Sequence, residues 1–333
     1  MIKLLQHTEI NTEKWSQLLE TSPHASFFQT KECYDFYCSL TFMKGFVYAV
    51  EEDNQLVGLM CGYLIADGGK VKRFFSRRAI VPGGLLLHES ISDKSLSSLL
   101  KFSQRQLAKQ AIYIEIRNYT DYSRWKSIFD NNRFSYQPHL NFHVETIDTE
   151  RSLQKMSSTK RRDVRLSLRE GAEIVHTKDV EDIKQFYVLL YDMYRTRIKT
   201  PLFPFEFFEN VALMSFGKLF VIKYNNRIIG GNLCVELPHK ILYEWFVCGE
   251  DRKYKNIFPS TLATWAAIEH AANNGFKYFD MMGAGKPDET YGVREFKSKF
   301  GGELVEHGRF LNVMNPCLYN VGKKVVKFLK KRK

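Results

Sequence analysis

The stretch from residue 278 to residue 304 holds the side chains best suited to chemistry. A buried, strand-like run ends on Asp280, and a glycine-rich loop begins at Gly283. The helix after the loop carries Phe296 and Lys297. Because α/β sheets usually expose their ligands at the carboxyl ends of strands, beside glycine, this pattern predicts a ligand site next to Asp280.

The helix that follows the loop has two lysines in different settings. Phe296 and Phe300 are four residues apart, so they share the face that packs inward. Lys297 lies next to that face, whereas Lys299 points elsewhere. The alternative, which composition alone favours, is that both lysines are solvated.

Several well-known motifs are absent from the sequence. The run from Gly283 to Lys286 is similar to a phosphate-binding P-loop, but Asp280 and Pro287 stand where that motif needs glycine and Ser/Thr. There is no Gly-x-Ser-x-Gly elbow and no dinucleotide-binding Gly-x-Gly-x-x-Gly. These absences argue against a P-loop nucleoside triphosphatase, a serine hydrolase of that type and a Rossmann dehydrogenase.

The cysteines and histidines do not predict a metal site. None of the six cysteines forms a Cys-x-x-Cys pair, and the nine histidines include no His-Glu-x-x-His. We therefore expect no metal, and buried reduced thiols at Cys61, Cys234 and Cys248, which lie in apolar runs.

The net charge of +12 is concentrated in two places. Residues 323–333 contribute +7 and residues 155–170 contribute +4, so the rest of the chain is close to neutral. Two local basic patches indicate local anionic partners rather than a general coating. Nothing is similar to a helix-turn-helix or to an aromatic RNA-binding sheet, so sequence-specific reading of nucleic acid is not expected.

Each basic patch has two interpretations. Helical spacing aligns Arg161 or Arg162 with Arg165 along one side of a helix, where clustered arginines would bind phosphate or simply face solvent. In the tail, apolar residues from Val321 to Leu329 fall on one side of a basic helix. Such a segment suits an anionic membrane surface, although a solubilising or disordered tail is the alternative.

The length of 333 residues suggests two domains. With 44% hydrophobic residues, 26 Phe and 17 Tyr, the chain can fill a core, which argues against a disordered protein. No run of 18 apolar residues is present and the first residues do not resemble a signal peptide, which predicts a cytoplasmic protein.

An internal repeat predicts the architecture. Residues 46–58 and residues 218–230 both have the pattern of a strand, a tight turn and a strand, offset by 172 positions. Asp-Asn and Asn-Asn at the turns tolerate the positive φ of a two-residue hairpin. We therefore predict one fold used twice, of the α+β layered class, with each copy a mixed twisted sheet flanked by helices.

The remaining elements follow from hydrophobic periodicity. In the first half we predict strands at 73–80, 111–116 and 134–144, and helices at 96–110 and 121–131. In the second half we predict strands at 240–248 and 276–280, and helices at 260–274, capped by Ser260 and ended by Gly275, and at 293–300. Between the halves we predict helices at 152–169, 180–198 and 205–214. With a boundary near residue 148, the domains are 1–148 and 149–315, followed by a basic amphipathic tail at 316–333.

Several motifs resemble the Fem family, the aminoacyl-tRNA-dependent transferases that build peptidoglycan interpeptide bridges. The most specific are Asp280-x-x-Gly283, Tyr291-Gly292-Val293 and Phe296-Lys297-x-x-Phe300-Gly301-Gly302; the others are Trp15 with Pro23 to Gln29, Val81-Pro82-Gly83-Gly84, and residues 156–172 with Arg161-Arg162 and Gly171. The resemblance covers nearly the whole chain. It implies two tandem GNAT-like acyltransferase domains, in agreement with the repeat.

The resemblance also implies a site. It places Lys297 at the lysine of the family's active-site channel, in the second domain, where a cation stabilises the developing oxyanion or the terminal phosphodiester of tRNA. The acceptor amine attacks the aminoacyl ester directly, so neither a covalent enzyme intermediate nor a cofactor is expected. The expected substrate-binding residues are Asp280, Gly283, Tyr291, Phe296, Tyr243, Trp245 and Arg197, and those expected to bind phosphate, tRNA or membrane are Arg161, Arg162 and Arg165.

Three departures from related patterns bear on the substrates. Residues 252–259 lack the glycines with which GNAT enzymes bind the pyrophosphate of acetyl-CoA. The long coiled-coil arm of some Fem members is absent. Residues 202–205 are apolar where some compact members place a basic residue on the phosphates of the muramyl substrate, a role that Arg195 or Arg197 would have to take.

Three functions remain open from the sequence. The favoured one is a tRNA-dependent aminoacyltransferase that modifies an amine of a lipid-linked or nucleotide-linked muramyl peptide, or of another envelope glycan, in the cytoplasm at the inner face of the membrane. The second is an N-acyltransferase that uses acyl-CoA or acyl carrier protein in surface polysaccharide synthesis. The third is a non-catalytic module on the same fold that binds membrane or nucleic acid.

Overall fold

The computed structural model describes the backbone of residues 1–331, and the side chains of all of these except residues 70, 71 and 325–331. The strands are β1 (Ile2–Gln6), β2 (Met43–Glu52), β3 (Gln55–Ile65), β4 (Arg78–Gly83), β5 (Leu86–Leu87), β6 (Tyr113–Asn118), β7 (Ser135–Gln137), β8 (Leu140–Glu145), β9 (Glu173–Thr177), β10 (Gly217–Tyr224), β11 (Arg227–Leu237), β12 (Ile241–Gly249), β13 (Tyr278–Asp280), β14 (Glu303–Glu306) and β15 (Arg309–Val313). The α-helices are α1 (Thr12–Thr21), α2 (Lys31–Ser39), α3 (Lys70–Ser76), α4 (Asp93–Leu107), α5 (Lys126–Asn131), α6 (Thr149–Lys155), α7 (Ser158–Arg169), α8 (Val180–Met193), α9 (Phe205–Leu213), α10 (Pro259–Asn273), α11 (Gly292–Lys297) and α12 (Pro316–Lys331).

These strands form two mixed sheets. The first has the order β1-β2-β3-β4-β6-β15-β7, with β5 paired to β3, and the second has the order β14-β8-β13-β12-β11-β10-β9. Both sheets include a parallel pair, β4 with β6 in the first and β12 with β13 in the second. The predicted α+β class with two sheet-and-helix halves is confirmed.

The predicted repeat is present in the backbone. Asp53 and Asn54 have positive φ at the turn between β2 and β3, as Asn225 and Asn226 do between β10 and β11. Both hairpins also have a register shift at equivalent places, after Val50 in the first and after the matching isoleucine, 172 residues later, in the second. A β-bulge repeated at that offset indicates that the two hairpins are the same structural unit.

Each half has its own core. In the first, α4 packs on β2 and β3 and buries Leu96, Leu99 and Leu100. In the second, α10 packs on β11 and β12 and is buried along most of its length. Because α10 presents small residues such as Ala263 and Ala267 to its neighbours, the helix can lie close to the sheet.

The predicted boundary at residue 148 differs from the division that the structure shows. One compact unit comprises residues 1–139 and 306–333, and the other comprises residues 140–305. The predicted strand 134–144 is two strands, since Pro138 interrupts the ladder: β7 pairs with β15 in the first sheet and β8 pairs with β13 in the second. The second unit therefore begins at residue 140 instead of 149 and ends at residue 305 instead of 315, because β7 and β15 both belong to the first sheet.

Three further element predictions need correction. Residues 70–76 form α3, so the predicted strand at 73–80 begins only at Arg78. The predicted helix 152–169 is interrupted because Met156 is extended and Ser157 caps α7, accepting from the Lys160 amide at 3.3 Å. Helix α10 begins at Pro259 rather than being capped by Ser260.

The C-terminal segment forms α12 as far as Lys331. The predicted apolar face of this tail depends on side chains from residue 325 onwards, which lie outside the described ones, as do Arg332 and Lys333 altogether. Within residues 1–331, no helix has the length and apolar character needed to cross a membrane. The predicted buried thiols at Cys61, Cys234 and Cys248 are confirmed, and all six cysteines are unpaired with one another.

Candidate active site

The second sheet opens where β12 and β13 part. The two parallel strands pair from Ile241 with Tyr278 to Tyr243 with Asp280. Beyond that point β13 ends, while β12 continues to Gly249. A gap beside the carboxyl ends of parallel strands is where ligands bind in such sheets.

Lys297 occupies this gap from α11. Its ammonium donates to the main-chain carbonyl of Met281 and lies 3.3 Å from the carbonyl oxygen of Met282 and 3.2 Å from that of Gly283. It also lies 3.2 Å from Oε1 of Glu244, the first residue of β12 beyond the pairing with β13. Only 7% of the Lys297 side chain is exposed, so the interpretation of both lysines as solvated is wrong for Lys297.

Glu244 is the residue that the sequence analysis missed. Its Oε2 accepts from the Asn232 amide at 3.2 Å and lies 3.4 Å from the Thr264 hydroxyl, and all these groups are buried. Burial raises the pKa of Glu244, although Lys297 acts in the opposite direction. The available signal was a single acid in the otherwise apolar strand from Ile241 to Cys248.

Asp280 shapes the loop rather than facing solvent. It is 1% exposed, and its Oδ1 accepts from the Asn141 amide and from the Met282 backbone N–H, both at 2.7 Å. Asn141 in turn accepts from the Gly283 N–H at 3.0 Å. Nε2 of His143 lies 3.2 Å from Oδ2 of Asp280. These contacts hold the loop so that its carbonyls converge on the lysine.

The loop needs unusual backbone angles to do this. Gly283 and Gly285 have φ of +81° and +78°, and Met282 has φ of +45°. Glycine adopts these angles at little cost, but methionine does not, so the surrounding contacts must hold Met282 in place.

The two aromatic residues predicted on β12 have different environments. Tyr243 is wholly buried next to Glu244. Trp245 lies at a register shift between β11 and β12, and its ring packs edge-on against Phe207 of α9, with centroids 4.8 Å apart. The bulge at Trp245 changes the direction of β12 just past the lysine.

Tyr291 and Arg197 lie on exposed segments of the same unit. Tyr291 precedes α11, is 44% exposed and packs against Gly285, leaving too little room for a Cβ at that position. Arg197 is exposed on a π-helical turn at Tyr194–Ile198. Burial raises the pKa of Tyr194 to about 12, with nearby Tyr291 as a lesser cause. π-Helical turns such as the one at Tyr194–Ile198 often occur at functional sites.

We call the main-chain carbonyls of Met281, Met282 and Gly283 around the Lys297 ammonium the lysine cage. Phe296 packs against other residues. Its ring centroid lies 5.1 Å from that of Phe300 and 4.4 Å from the ammonium of Lys160. Lys160 also donates to the Thr261 hydroxyl at 2.6 Å, and burial lowers its pKa. Lys160 therefore packs inside the unit and does not add to the basic surface of α7.

The three arginines predicted on α7 do not form one exposed phosphate-binding face. Arg161 is turned inward and donates to the carbonyls of Gln154 and Met156 at 2.7 and 2.6 Å. Arg162 and Arg165 are exposed. The phosphate-binding face suggested by the sequence thus keeps two of its three residues.

The N-terminus of α10 already has partners for its backbone donors. The Ser260 N–H donates to Oδ1 of Asp251 at 3.2 Å, and the Phe258 N–H donates to the Ser167 hydroxyl at 2.9 Å. A carboxylate at this position opposes a second anion such as a pyrophosphate. In the described part of the chain, no group of three or more His, Cys, Asp or Glu side chains is arranged to hold a metal ion.

Comparison with known proteins is consistent with this geometry. Residues 213–327, which include the lysine cage, match the profile of the FemAB family. Comparison with curated protein sequences finds no match.

Three solved structures share the fold at low sequence identity. A structure described as FemX has a TM-score of 0.72 at 16% identity, with 96% of this chain and 99% of that chain covered. A tandem GNAT protein from the clavulanic acid biosynthesis pathway has a TM-score of 0.57 at 10% identity, covering 95% and 99%. L-PGS from Bacillus licheniformis has a TM-score of 0.56 at 13% identity, covering 94% and 96%. The predicted tandem GNAT-like fold is confirmed.

Proposed function

We propose that the chain is an acyltransferase of the FemAB type and that it moves an amino acid from aminoacyl-tRNA to an amine of a peptidoglycan precursor or related envelope glycan. The observation that carries the proposal is the buried cation of Lys297 at the point where β12 and β13 separate. The family profile covers this place in the chain.

The reaction requires charge stabilisation more than it requires a nucleophile on the protein. The acceptor amine attacks the ester carbonyl carbon and a C–N bond forms. The bond between the acyl carbon and the ribose oxygen breaks, and a proton from the amine passes to that departing oxygen, which leaves as the ribose hydroxyl. Negative charge collects on the carbonyl oxygen on the way, and a fixed ammonium nearby stabilises it. Alignment of the two substrates supplies the rest of the rate enhancement.

Lys297 is held so that it can do this. Its contacts with the carbonyls of Met282 and Gly283 are the longer ones, at 3.3 and 3.2 Å, so an incoming anionic oxygen would replace one of them. Glu244 keeps the ammonium in place and remains buried behind it. Trp245, Tyr291 and Arg197 are then candidates for contact with the substrates, and exposed Arg162 and Arg165 for contact with tRNA phosphates.

The direct test is transfer. Purified protein is incubated with a mixture of charged tRNAs and either lipid-linked or nucleotide-linked muramyl pentapeptide, and the acceptor is analysed by mass spectrometry. We expect the acceptor to gain the mass of one aminoacyl residue. No transfer from any tRNA to either acceptor would contradict the proposal.

Variants of the lysine separate its role in transfer from its role in folding. Lys297→Met combined with Glu244→Gln removes both buried charges while keeping side-chain size, and should leave a folded protein with transfer lowered at least 100-fold. The matched control is Lys299→Met. Lys299 lies two residues away, is exposed and pairs with Glu295, so this variant should retain activity. Full activity in the double variant would remove Lys297 from the mechanism.

An acyl-CoA donor would require free backbone amides at the start of α10 to bind its pyrophosphate. Because Asp251 and Ser167 already accept from the amides at the start of α10, we expect no saturable heat in calorimetric titration with acetyl-CoA. Micromolar binding would instead favour an N-acyltransferase that uses acyl-CoA.

We place the reaction in the cytoplasm, at the inner face of the membrane when the acceptor is lipid-linked. The basic tail at residues 316–333 supports this placement, since it contains seven basic and no acidic residues.

A further inference from the structure

Helix α3 lies in the first unit, far from the lysine cage in sequence, and exposes two phenylalanines. Phe74 is 48% exposed and Phe75 is 37% exposed, with their rings edge-on and centroids 5.2 Å apart. Adjacent exposed phenylalanines are unusual on a soluble surface and often mark an interaction site.

The charge around the two rings is positive. Residues 68–77 contain four basic residues and no acid. The nearest acid in sequence, Asp67, is neutralised by two hydrogen bonds from Arg78 at 2.9 and 3.2 Å. Lys72 and Arg73 are exposed, and the guanidinium of Arg77 lies 4.4 Å from the centre of the Phe74 ring.

Helix α12 packs against α3 and extends the same surface. A Cβ at Gly322 would lie 3.3 Å from the carbonyl oxygen of Phe75, so glycine allows a close approach there. Val321, beside it, is 44% exposed, and Lys323 and Lys324 are exposed as well. Two helices from distant parts of the chain thus form one basic surface that also exposes apolar side chains.

We propose that α3 and α12 together form a docking surface for an anionic lipid bilayer, into which Phe74 and Phe75 insert. This inference deepens the membrane placement proposed above from the basic tail, and it does not depend on which group the enzyme transfers. Its occupant is assigned from charge complementarity and from the exposed phenylalanines, which suit the boundary between lipid headgroups and acyl chains. RNA is the less favoured occupant, because one face of the Phe74 ring is already covered by Arg77 and is not open for stacking with a base.

Vesicle binding by the full-length chain tests the proposal. Sedimentation is measured with vesicles of phosphatidylcholine alone and of phosphatidylcholine mixed with phosphatidylglycerol. We expect binding only to the anionic vesicles, weakened by salt. Lys72→Gln with Arg73→Gln should lower affinity about 30-fold, at about fivefold per basic residue, and Phe74→Ser with Phe75→Ser should lower it at least about tenfold.

Matched controls come from the second unit. Arg227→Gln with Lys255→Gln removes the same charge from exposed positions of that unit, and Val188→Ser with Leu304→Ser removes two apolar side chains that are 57% and 48% exposed. Neither pair should change vesicle binding. The proposal is overturned if either control pair lowers binding as much as its α3 counterpart, or if the Phe74/Phe75 variant binds like the wild type.

Two further measurements complete the test. A Phe74→Trp variant should gain fluorescence quenching by brominated lipids over the wild-type background, and no gain would rule out insertion. Binding of unfractionated tRNA is measured with the Lys72/Arg73 and Phe74/Phe75 variants. If these variants lose tRNA binding and keep vesicle binding, the surface is an RNA site and the proposal fails. Because transfer to a nucleotide-linked acceptor needs no vesicle, loss of docking and loss of catalysis are distinguishable.

Discussion

Nζ of Lys297 lies 3.2 Å from Oε1 of Glu244, and the two side chains are 7% and 2% exposed. Charges removed from water to this degree are stable only when each compensates the other and the remaining donors and acceptors are satisfied. Here three main-chain carbonyls complete the lysine's partners, while Asn232 and Thr264 complete those of the glutamate. Any change at one residue is therefore felt at the other.

The first prediction concerns the stability of this pair. Lys297→Met alone leaves Glu244 buried without its counter-charge and should lower the free energy of unfolding by about 3–5 kcal/mol. The double variant Lys297→Met/Glu244→Gln should recover most of the loss. Urea denaturation of the four proteins of the cycle measures the coupling, and additive effects of the two single changes would show that the pair is not coupled.

The second prediction concerns Asn141 as a positioning residue. Its side chain contacts Asp280, the Gly283 N–H and the Phe142 N–H, so Asn141→Leu should lower stability by about 2–3 kcal/mol. Because it touches the loop rather than the substrates, the change should lower kcat more than it raises KM for tRNA. Asn131→Leu, at an exposed position on α5, is the control. A rise in KM alone would place Asn141 in substrate binding instead.

The third prediction concerns acid sensitivity of the first unit. Burial lowers the pKa of His24 to about 4 from its usual 6.5, and Nδ1 lies 2.8 Å from the Thr120 hydroxyl. The unfolded chain therefore binds a proton that the folded chain does not, and stability present above pH 6.5 is lost as the pH falls towards 4. His24→Gln should flatten the pH dependence of unfolding in that interval.

Urea denaturation at several pH values from 7 down to about 4 measures this slope. The exposed residue His239, replaced by Asn to suit its positive φ, is the control and should leave the slope unchanged. An unchanged slope in the His24 variant would mean that His24 titrates alike in both states.

The fourth prediction compares the two hairpin turns. Asn226 is exposed with φ of +59°, so Asn226→Gly should raise the free energy of unfolding by about 0.5 kcal/mol. Asn54 has φ of +68° but also accepts a hydrogen bond from Lys14 at 2.9 Å, so Asn54→Gly should show little or no gain. Thermal unfolding of both variants provides the comparison; equal gains would show that the Lys14 contact contributes nothing.

Local signals in the sequence predicted local structure well. The positive-φ turns at Asp53-Asn54 and Asn225-Asn226 follow from residue type, and Gly275 ends α10 with φ of +68° as expected. The resemblance of Phe296-Lys297 to a family motif pointed to the lysine. The sequence did not predict α3, because seven residues are too few to show a helical period.

Contacts between distant parts of the chain could not be predicted in this way. The partner of Lys297 is 53 residues earlier on another element, and the loop is held by Asn141, 139 residues before Asp280. The cage itself is made of backbone carbonyls, which every residue possesses. Composition cannot show which carbonyls will converge.

The exchange of strands at the two ends of the second unit has a consequence for synthesis. Strand β15 lies inside the first sheet, between β6 and β7, but it leaves the ribosome after all the other strands of the two sheets. Residues 140–305 are contiguous, so the second sheet can form as soon as they are synthesised. The first sheet lacks a strand between β6 and β7 until residue 313 has emerged. The first sheet is therefore completed after the second, although most of its strands are made earlier. A nascent chain stalled before β15 would present unpaired edges of β6 and β7 to the cell's chaperones.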